Sequence, residues 1–396
     1  MSLNRAMPDL PCVRVSRRGA QRLKDGHVWV YQSDVISANG IPPGSLIAVT
    51  DEREKLLGTA FYSSASQIAI RLLSRQPVKD LENLIRQRMQ EAIAYRERVV
   101  RNTDAYRLVF SEADFLPGLI VDRYNDLLLI QVLTQAIDAE SVRAVVLSEL
   151  NGLKPAAIIE RVDPKIRELE QLPPKSSGLL AGEKISTTFS MNGVRFHFDA
   201  LEGQKTGAFL DQRENYAAAA QYAHGAALDV FCYQGGFALH LAETCSMVTG
   251  VDSSRPALEV ADQNAALNGR EIEWIEGNAF DLLHDYSQAG PQYETIVLDP
   301  PAFAKSKKNL HAALRGYKEL NLRALKMLRP GGILVSCSCS YHVSQGDFLD
   351  IIRAAGQDVH RNLRILEYRS QAKDHPILLN VPETAYLKCA IFQVSS

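Results

Sequence analysis

The sequence predicts an α/β chain whose C-terminal half forms a doubly wound, mostly parallel sheet, preceded by a β-rich unit and a central α+β unit. Three observations predict it. From about residue 186 onward, short apolar strands alternate with helical periodicity, the pattern of βαβ units. Residues 12 to about 76 instead carry β-branched and aromatic runs broken by turn residues. The 396 residues are enough for two or three domains at roughly 150 residues each. We expect boundaries at 1–78, 79–185 and 186–396. With 46% hydrophobic and 23% charged residues, the composition excludes a disordered, collagenous or coiled-coil chain.

In the first unit, VWVYQSDV, GSLIAVTD, LLGTAFY and QIAIRLL read as strands. Breaks fall at Asn39-Gly40, Pro42-Pro43-Gly44 and Gln76-Pro77. Its opening stretch is basic, with Arg14, Arg17, Arg18, Arg22 and Lys24 against Asp25. A helix fits 79–101, where Leu81, Leu84, Ile85, Met89, Ala92, Ile93 and Val100 recur at helical spacing. Residues 106–134 read as three strands joined by turns. SVRAVVLSEL then reads as a helix and AAIIERV as a strand, and the loop LPPKSSG ends the unit.

After a hairpin (ISTTFSMNGVRFHFDA) come the buried strands ALDVF, MVTGVD, IEWIEG, ETIVLD and GILVSCS. Helices fit over Gly236–Glu243, Arg255–Leu267, Ala279–Tyr286 and Tyr317–Leu328. A helix near Gln345–Ala355 and the strands NLRILEYR and AYLKCAIFQV complete the run, with the last strand expected antiparallel.

The net charge of −2, from 44 Lys+Arg against 46 Asp+Glu, means that a nucleic acid would be met by local patches. No uncharged apolar run reaches the roughly 18 residues of a membrane helix. The first residues lack the apolar core of a signal peptide. Six thinly spread cysteines argue for a reducing, cytoplasmic setting rather than a disulfide scaffold. Neither Cys337-x-Cys339 nor the scattered histidines give zinc-ligand spacing, so no metal is expected.

In an open α/β sheet, ligands bind beyond the carboxyl ends of the strands. After ALDVF comes Cys232-Tyr233-Gln234-Gly235-Gly236-Phe237, a turn tight enough for a ligand to approach the backbone, but without dinucleotide or phosphate-loop spacing. MVTGVD ends at Asp252, which suits a ribose diol or a helix cap. IEWIEG leads to Asn278, which suits an adenine edge. ETIVLD ends in Asp299-Pro300-Pro301, where the prolines stop the strand's hydrogen bonding and turn the acid into the crevice. The fifth strand follows Pro330-Gly331-Gly332 and ends in Ser336-Cys337-Ser338-Cys339-Ser340.

These strand ends, in this order, resemble class I S-adenosylmethionine-dependent methyltransferases, which have a Rossmann-like, seven-stranded sheet. A narrower resemblance spans nearly the whole chain. It is to the 23S rRNA cytosine-C5 methyltransferases that carry an N-terminal PUA domain. Its carriers are Phe115-Leu116-Pro117-Gly118-Leu119-Ile120-Val121-Asp122-Arg123-Tyr124, Lys205-Thr206-Gly207-Ala208-Phe209-Leu210-Asp211-Gln212-Arg213 and Asp299-Pro300-Pro301. Others are Arg315-Gly316-Tyr317-Lys318, Ser338-Cys339-Ser340, Asp374-His375-Pro376, Pro382-Glu383 and Tyr386-Leu387-Lys388.

The resemblance implies S-adenosyl-L-methionine as cofactor. Phe209, Gln212 and Arg213 would lie along its methionine end, and Asp229 with Tyr233, Gly235 and Gly236 would hold the carboxylate and amine. Asp252 would take the ribose and Asn278 the adenine, where many relatives carry Asp. Asp299 would border both cofactor and target base.

Cytosine C5 is a poor nucleophile until a thiolate adds to C6, which is covalent catalysis by an activated cysteine. Cys339 aligns with the family's nucleophile, and Asp299 would stabilise charge at N3. Cys337, two residues earlier on the same strand face, should sit deeper, and a buried core thiol is the alternative for both. Cys232 reads as packing, and Cys12, Cys245 and Cys389 as structural. RNA cytosine-C5 methyltransferases outside this family often have Pro-Cys where this chain has Pro300-Pro301, so the base that takes the C5 proton is unassigned.

Asp-Pro-Pro is similar to the motif of enzymes acting on exocyclic amines or guanine N7. An rRNA guanine-N7 or adenine-N6 methyltransferase is therefore the first alternative, and a non-catalytic RNA-binding assembly factor the second. The target must be single-stranded or flipped out. Arg14, Arg17, Arg18, Lys24 and Trp29 in the PUA-like unit, with Lys305, Lys307 and Lys308 near Asp299, are the RNA-binding candidates, and a solvated basic face is the alternative. The expected partner is large-subunit ribosomal RNA, with no membrane. The exposed middle unit suggests a homodimer.

Overall fold

The computed structural model describes residues 10–201, 208–304 and 307–396. The chain divides into two units, one of Met1–Thr187, Asp199–Gly207 and Asp374–Thr384, the other of Thr188–Phe198, Ala208–Lys373 and Ala385–Ser396.

The first unit holds two sheets. Six strands between Cys12 and Ser74 form one, antiparallel except where Cys12–Val15 runs parallel to Leu46–Thr50. The basic stretch in it is not all strand. Arg17–Lys24 forms a helix, started by the Ser16 hydroxyl, which accepts the Gly19 N–H, and seated on buried Gly19, Ala20 and Leu23. Two turns with four cationic residues are too short to show helical periodicity in the sequence. The second sheet has five strands between Ala105 and Gly182, backed by helices Leu81–Val99 and Glu140–Gly152. A short helix, Pro164–Leu169, capped by Asp163, was not foreseen. Within this unit the fully buried Arg96 donates to the carbonyls of Arg107 (2.9 Å) and Asp374 (2.8 Å) and pairs with Asp114. The Asp374 carboxylate accepts the Arg107 N–H at 2.8 Å. Asp374-His375-Pro376 thus anchors a distant segment.

The second unit is the expected doubly wound layer. Its strands are β1 (Ala226–Val230), β2 (Met247–Asp252), β3 (Glu273–Glu276), β4 (Tyr293–Leu298), β5 (Leu328–Ser338), β6 (Asn362–Arg369) and β7 (Lys388–Ser395). Their order is β3-β2-β1-β4-β5-β7-β6, parallel except for β7, which is antiparallel to both neighbours. The helices are α1 (Arg213–Tyr222), α2 (Gly236–Leu241), α3 (Arg255–Leu267), α4 (Ala279–Ala289), α5 (Leu310–Met327) and α6 (Gln345–Asp358). Helix α5 starts earlier than the sequence suggested, and β5 absorbs the Pro-Gly-Gly segment. Among the described residues no helix is long and apolar enough to cross a membrane.

Gly250 on β2 lies opposite Trp274 on β3. A Cβ on Gly250 would stand 2.4 Å from the indole ring, and one on Gly235 2.9 Å from it. The indole therefore covers both glycines. Gly250→Ala should destabilise the chain by about 2 kcal/mol, the usual cost of overpacking a rigid core. Chemical denaturation of the full chain, side by side with wild type, measures it.

Candidate active site

Parallel register brings Val251, Val230, Leu298 and Ser336 into one row across β2, β1, β4 and β5. The residues that follow in the chain are Asp252, Phe231, Asp299 and Cys337. One edge of the sheet therefore collects the polar groups that the sequence singled out.

Asp229 is fully buried one residue below that row. Its Oδ2 accepts the Ala238 N–H in the first turn of α2 at 2.8 Å, while Oδ1 is buried without a hydrogen-bond partner. Burial, aided by the nearby carboxylates Asp299 and Asp252, pushes the Asp229 carboxyl up to about 8. Gly235 takes a positive φ of 84° that few side chains tolerate, and the space beside Gly236 is filled by the Tyr216 ring rather than left open. Beside this turn lies a cleft lined among others by Phe209, Tyr233, Gln234, Gly236 and Asp299. Phe209 and Tyr233 meet edge to face at 5.1 Å.

Asp252 accepts two backbone N–H groups, from Tyr233 at 2.9 Å and Ser254 at 2.9 Å. It is not the cap of α3, because Ser254 takes that place. Asn278 is exposed and caps α4, accepting the Phe280 N–H at 2.9 Å. Gln212 and Arg213 are buried. The Gln212 amide donates to Asp299 Oδ2 at 3.0 Å and accepts from Asn215 at 2.7 Å, so it holds the acid in place.

Cys339 is half-buried just past the end of β5, its Sγ 3.9 Å from the Pro300 carbonyl. Cys337 is fully buried opposite Cys389, and burial pushes its thiol well up. Cys232 is buried with a thiol pushed up in the same way. The turn around Cys339 is clamped from two sides. From α5, the Tyr317 hydroxyl bonds Ser338 and Ser340 at 3.0 Å each, while the Ser340 hydroxyl accepts the Ala304 N–H. From β7, the Lys388 ammonium donates to the Ser340 carbonyl at 2.7 Å and to Tyr386 O at 2.9 Å. Sequence reasoning missed Tyr317 and Lys388 as site residues. Their only signal was membership of the motifs that carried the resemblance.

In the first unit, Arg17, Arg18 and Lys24 project from the short helix. Arg18 pairs with Asp34 at 2.7 Å and Lys24 with Asp51 at 3.5 Å. Arg14 is half-buried on its strand, and the Trp29 indole donates to Glu112 at 3.0 Å. Lys308 is exposed, whereas Lys305 and the Lys307 side chain lie outside the described residues. No cluster of three metal-binding side chains occurs among the described residues.

The strand order and the row of acids define a class I methyltransferase. Residues 88–393 match the S-adenosylmethionine-dependent methyltransferase family model, and residues 13–75 match a PUA-like domain. Two solved structures share the fold at 18–19% identity, one a methyltransferase with S-adenosylhomocysteine bound (TM-score 0.83), the other from Streptococcus mutans (TM-score 0.82). Each covers 96% of this chain and 99% of its own. Proteins named ribosomal RNA large subunit methyltransferase I are similar throughout. Those of Tolumonas auensis (39% identity, 91% of this chain, 94% of theirs) and Photobacterium profundum (36%, 92% and 95%) are examples. This chain belongs to that family, and S-adenosylmethionine is its cofactor.

The orphaned Asp229 Oδ1 fits this cofactor, whose amino group is a cationic donor. Without a ligand, the folded chain keeps a proton on Asp229 that the unfolded chain releases above about pH 4. This contribution to stability is fully present below the unfolded pKa and is lost as pH rises toward about 8, by at most about 1.4 kcal/mol per pH unit. Urea melts of Asp229→Asn should show a flatter pH dependence than wild type between about pH 5 and 8.

Proposed function

We propose that the chain forms 5-methylcytosine in 23S rRNA through a covalent bond between Cys339 Sγ and cytosine C6. The observation that carries the reading is the half-exposed Cys339 thiol just past the end of β5, beside the turn that follows Asp299. A family whose members are named for ribosomal RNA supplies the substrate class.

S-adenosylmethionine supplies an electrophilic methyl group. The protein's own residues make the acceptor. Thiolate addition to C6 turns C5 into a carbon nucleophile. Asp299, held by Gln212, stabilises the charge that develops at N3. Once C5 carries the methyl group, loss of its proton and departure of the thiolate restore the aromatic ring.

Asp229, Tyr233, Gly235, Gly236 and Phe209 would hold the methionine end, with Gln212 and Arg213 behind them. Asp252 would take the ribose and Asn278 the adenine. The carboxylate of Asp252 supports this, since Ser254 relieves it of capping duty.

RNA contact is assigned to Arg14, Arg17, Arg18, Lys24 and Trp29, and to Lys305, Lys307 and Lys308. The exposure of Arg17, Arg18, Lys24 and Lys308 supports that assignment. The division into 1–78, 79–185 and 186–396 is supported by each of the three main sheets falling inside one range. A homodimer and a cytoplasmic setting complete the reading.

Labelled S-adenosylmethionine and unmodified large-subunit RNA, followed by nucleoside chromatography, test it. Label should appear in 5-methylcytosine. Cys339→Ala should lower its formation by about a thousandfold or more, the scale on which essential nucleophiles act. Label in a purine that is indifferent to Cys339 would instead mark an amine or guanine-N7 methyltransferase.

A further inference from the structure

We propose that Lys388 is the positioning residue that keeps the Cys339 thiol ionised and ready to add to its substrate. The inference rests on the reading of Cys339 as nucleophile.

Lys388 begins β7 directly opposite Ser338 and is 7% exposed. Its ammonium bonds only neutral groups, the carbonyls of Ser340 and Tyr386. Among the described residues no carboxylate forms an ion pair with it. A buried ammonium without a counter-ion is costly, and folds usually pair it or omit it. Here it is fixed to the peptide that follows the candidate nucleophile. Burial pushes the Lys388 ammonium down to about 8, while a charge on Cys339 acts the other way. A thiolate on Cys339, one residue before the peptide that Lys388 holds, would give this cation its anion.

The proton balance is simple. Ionisation passes the Cys339 proton to water and leaves a thiolate beside the Lys388 ammonium, which keeps its own proton. C–S bond formation with C6 consumes the thiolate, and its departure restores the pair.

Just past β4 stands the Asp299 carboxylate, a charge of the same sign as a thiolate. From α5 comes the Tyr317 phenol, whose own ionisation burial pushes up. Cys337 on β5 is pushed up, and Cys389 follows Lys388 on β7. The Tyr386 phenol donates to Asp211 at 2.6 Å.

Alkylation of the full chain by iodoacetamide across a pH series, read peptide by peptide by mass spectrometry, tests the proposal. Exposed Cys12 serves as internal reference. In Lys388→Gln, which keeps a donor but no charge, and in Lys388→Met, the Cys339 midpoint should rise by about one pH unit or more. That is roughly a tenfold loss of thiolate at neutral pH. Lys388→Arg should keep the wild-type midpoint. An unchanged midpoint in the Gln and Met variants, or equal shifts in Gln and Arg, would overturn it. The result is independent of the nucleophile reading. Retained 5-methylcytosine formation in Cys339→Ala would sink that reading and leave the alkylation outcome standing.

Discussion

The site depends on where β4 is made to stop. Pro300 and Pro301 have no N–H to offer a neighbouring strand, and β4 ends at Leu298. Strand β5 does not stop with it. It runs on to Ser338, held at Cys337 and Ser338 by β7 alone. Past Ser336, one edge of β5 is therefore free of its parallel neighbour. In the gap stand an acid, a thiol and a carbonyl, with no backbone ladder to occupy them. Had β4 continued, Cys339 would face a paired strand and would be as sealed as Cys337.

The two units treat buried charge differently. In the first, Arg107 grips Asp122 through two bonds, Arg143 grips Glu160, and Arg71 meets Glu170. In each of these pairs a buried charge faces an opposite charge that satisfies it. At the strand ends of the second unit, Asp229 keeps an orphaned oxygen and Lys388 has no described carboxylate beside it. Perturbed and unbalanced groups collected at one edge of a sheet are what a ligand or a reacting atom is built to complete.

Much of this edge was legible in the sequence. Asp252 and Asp299 each close an apolar run, Asp229 stands one residue inside the end of another, and Cys339 follows the end of β5, so the mouth of an α/β sheet is readable from them. What was not legible depends on register or on distant pairs. Gly235 and Gly250 are crowded by the Trp274 indole of another strand and Gly236 by the Tyr216 ring of α1. The clamp by Lys388 follows from the antiparallel pairing of β7, and no local pattern encodes it. The helix Arg17–Lys24 is too short and too charged to show its period. The bond from Arg96 to Asp374 spans 278 residues.

That last bond has a consequence for inheritance. Between β6 and β7 the chain leaves the second unit, contributes Asp374–Thr384 to the first, and returns. Each unit is stitched from three separate stretches. Neither can be passed to another gene by a single recombination event, as a bead on a string can. A catalytic sheet whose final strand is reached only through the other unit commits the two to descend together.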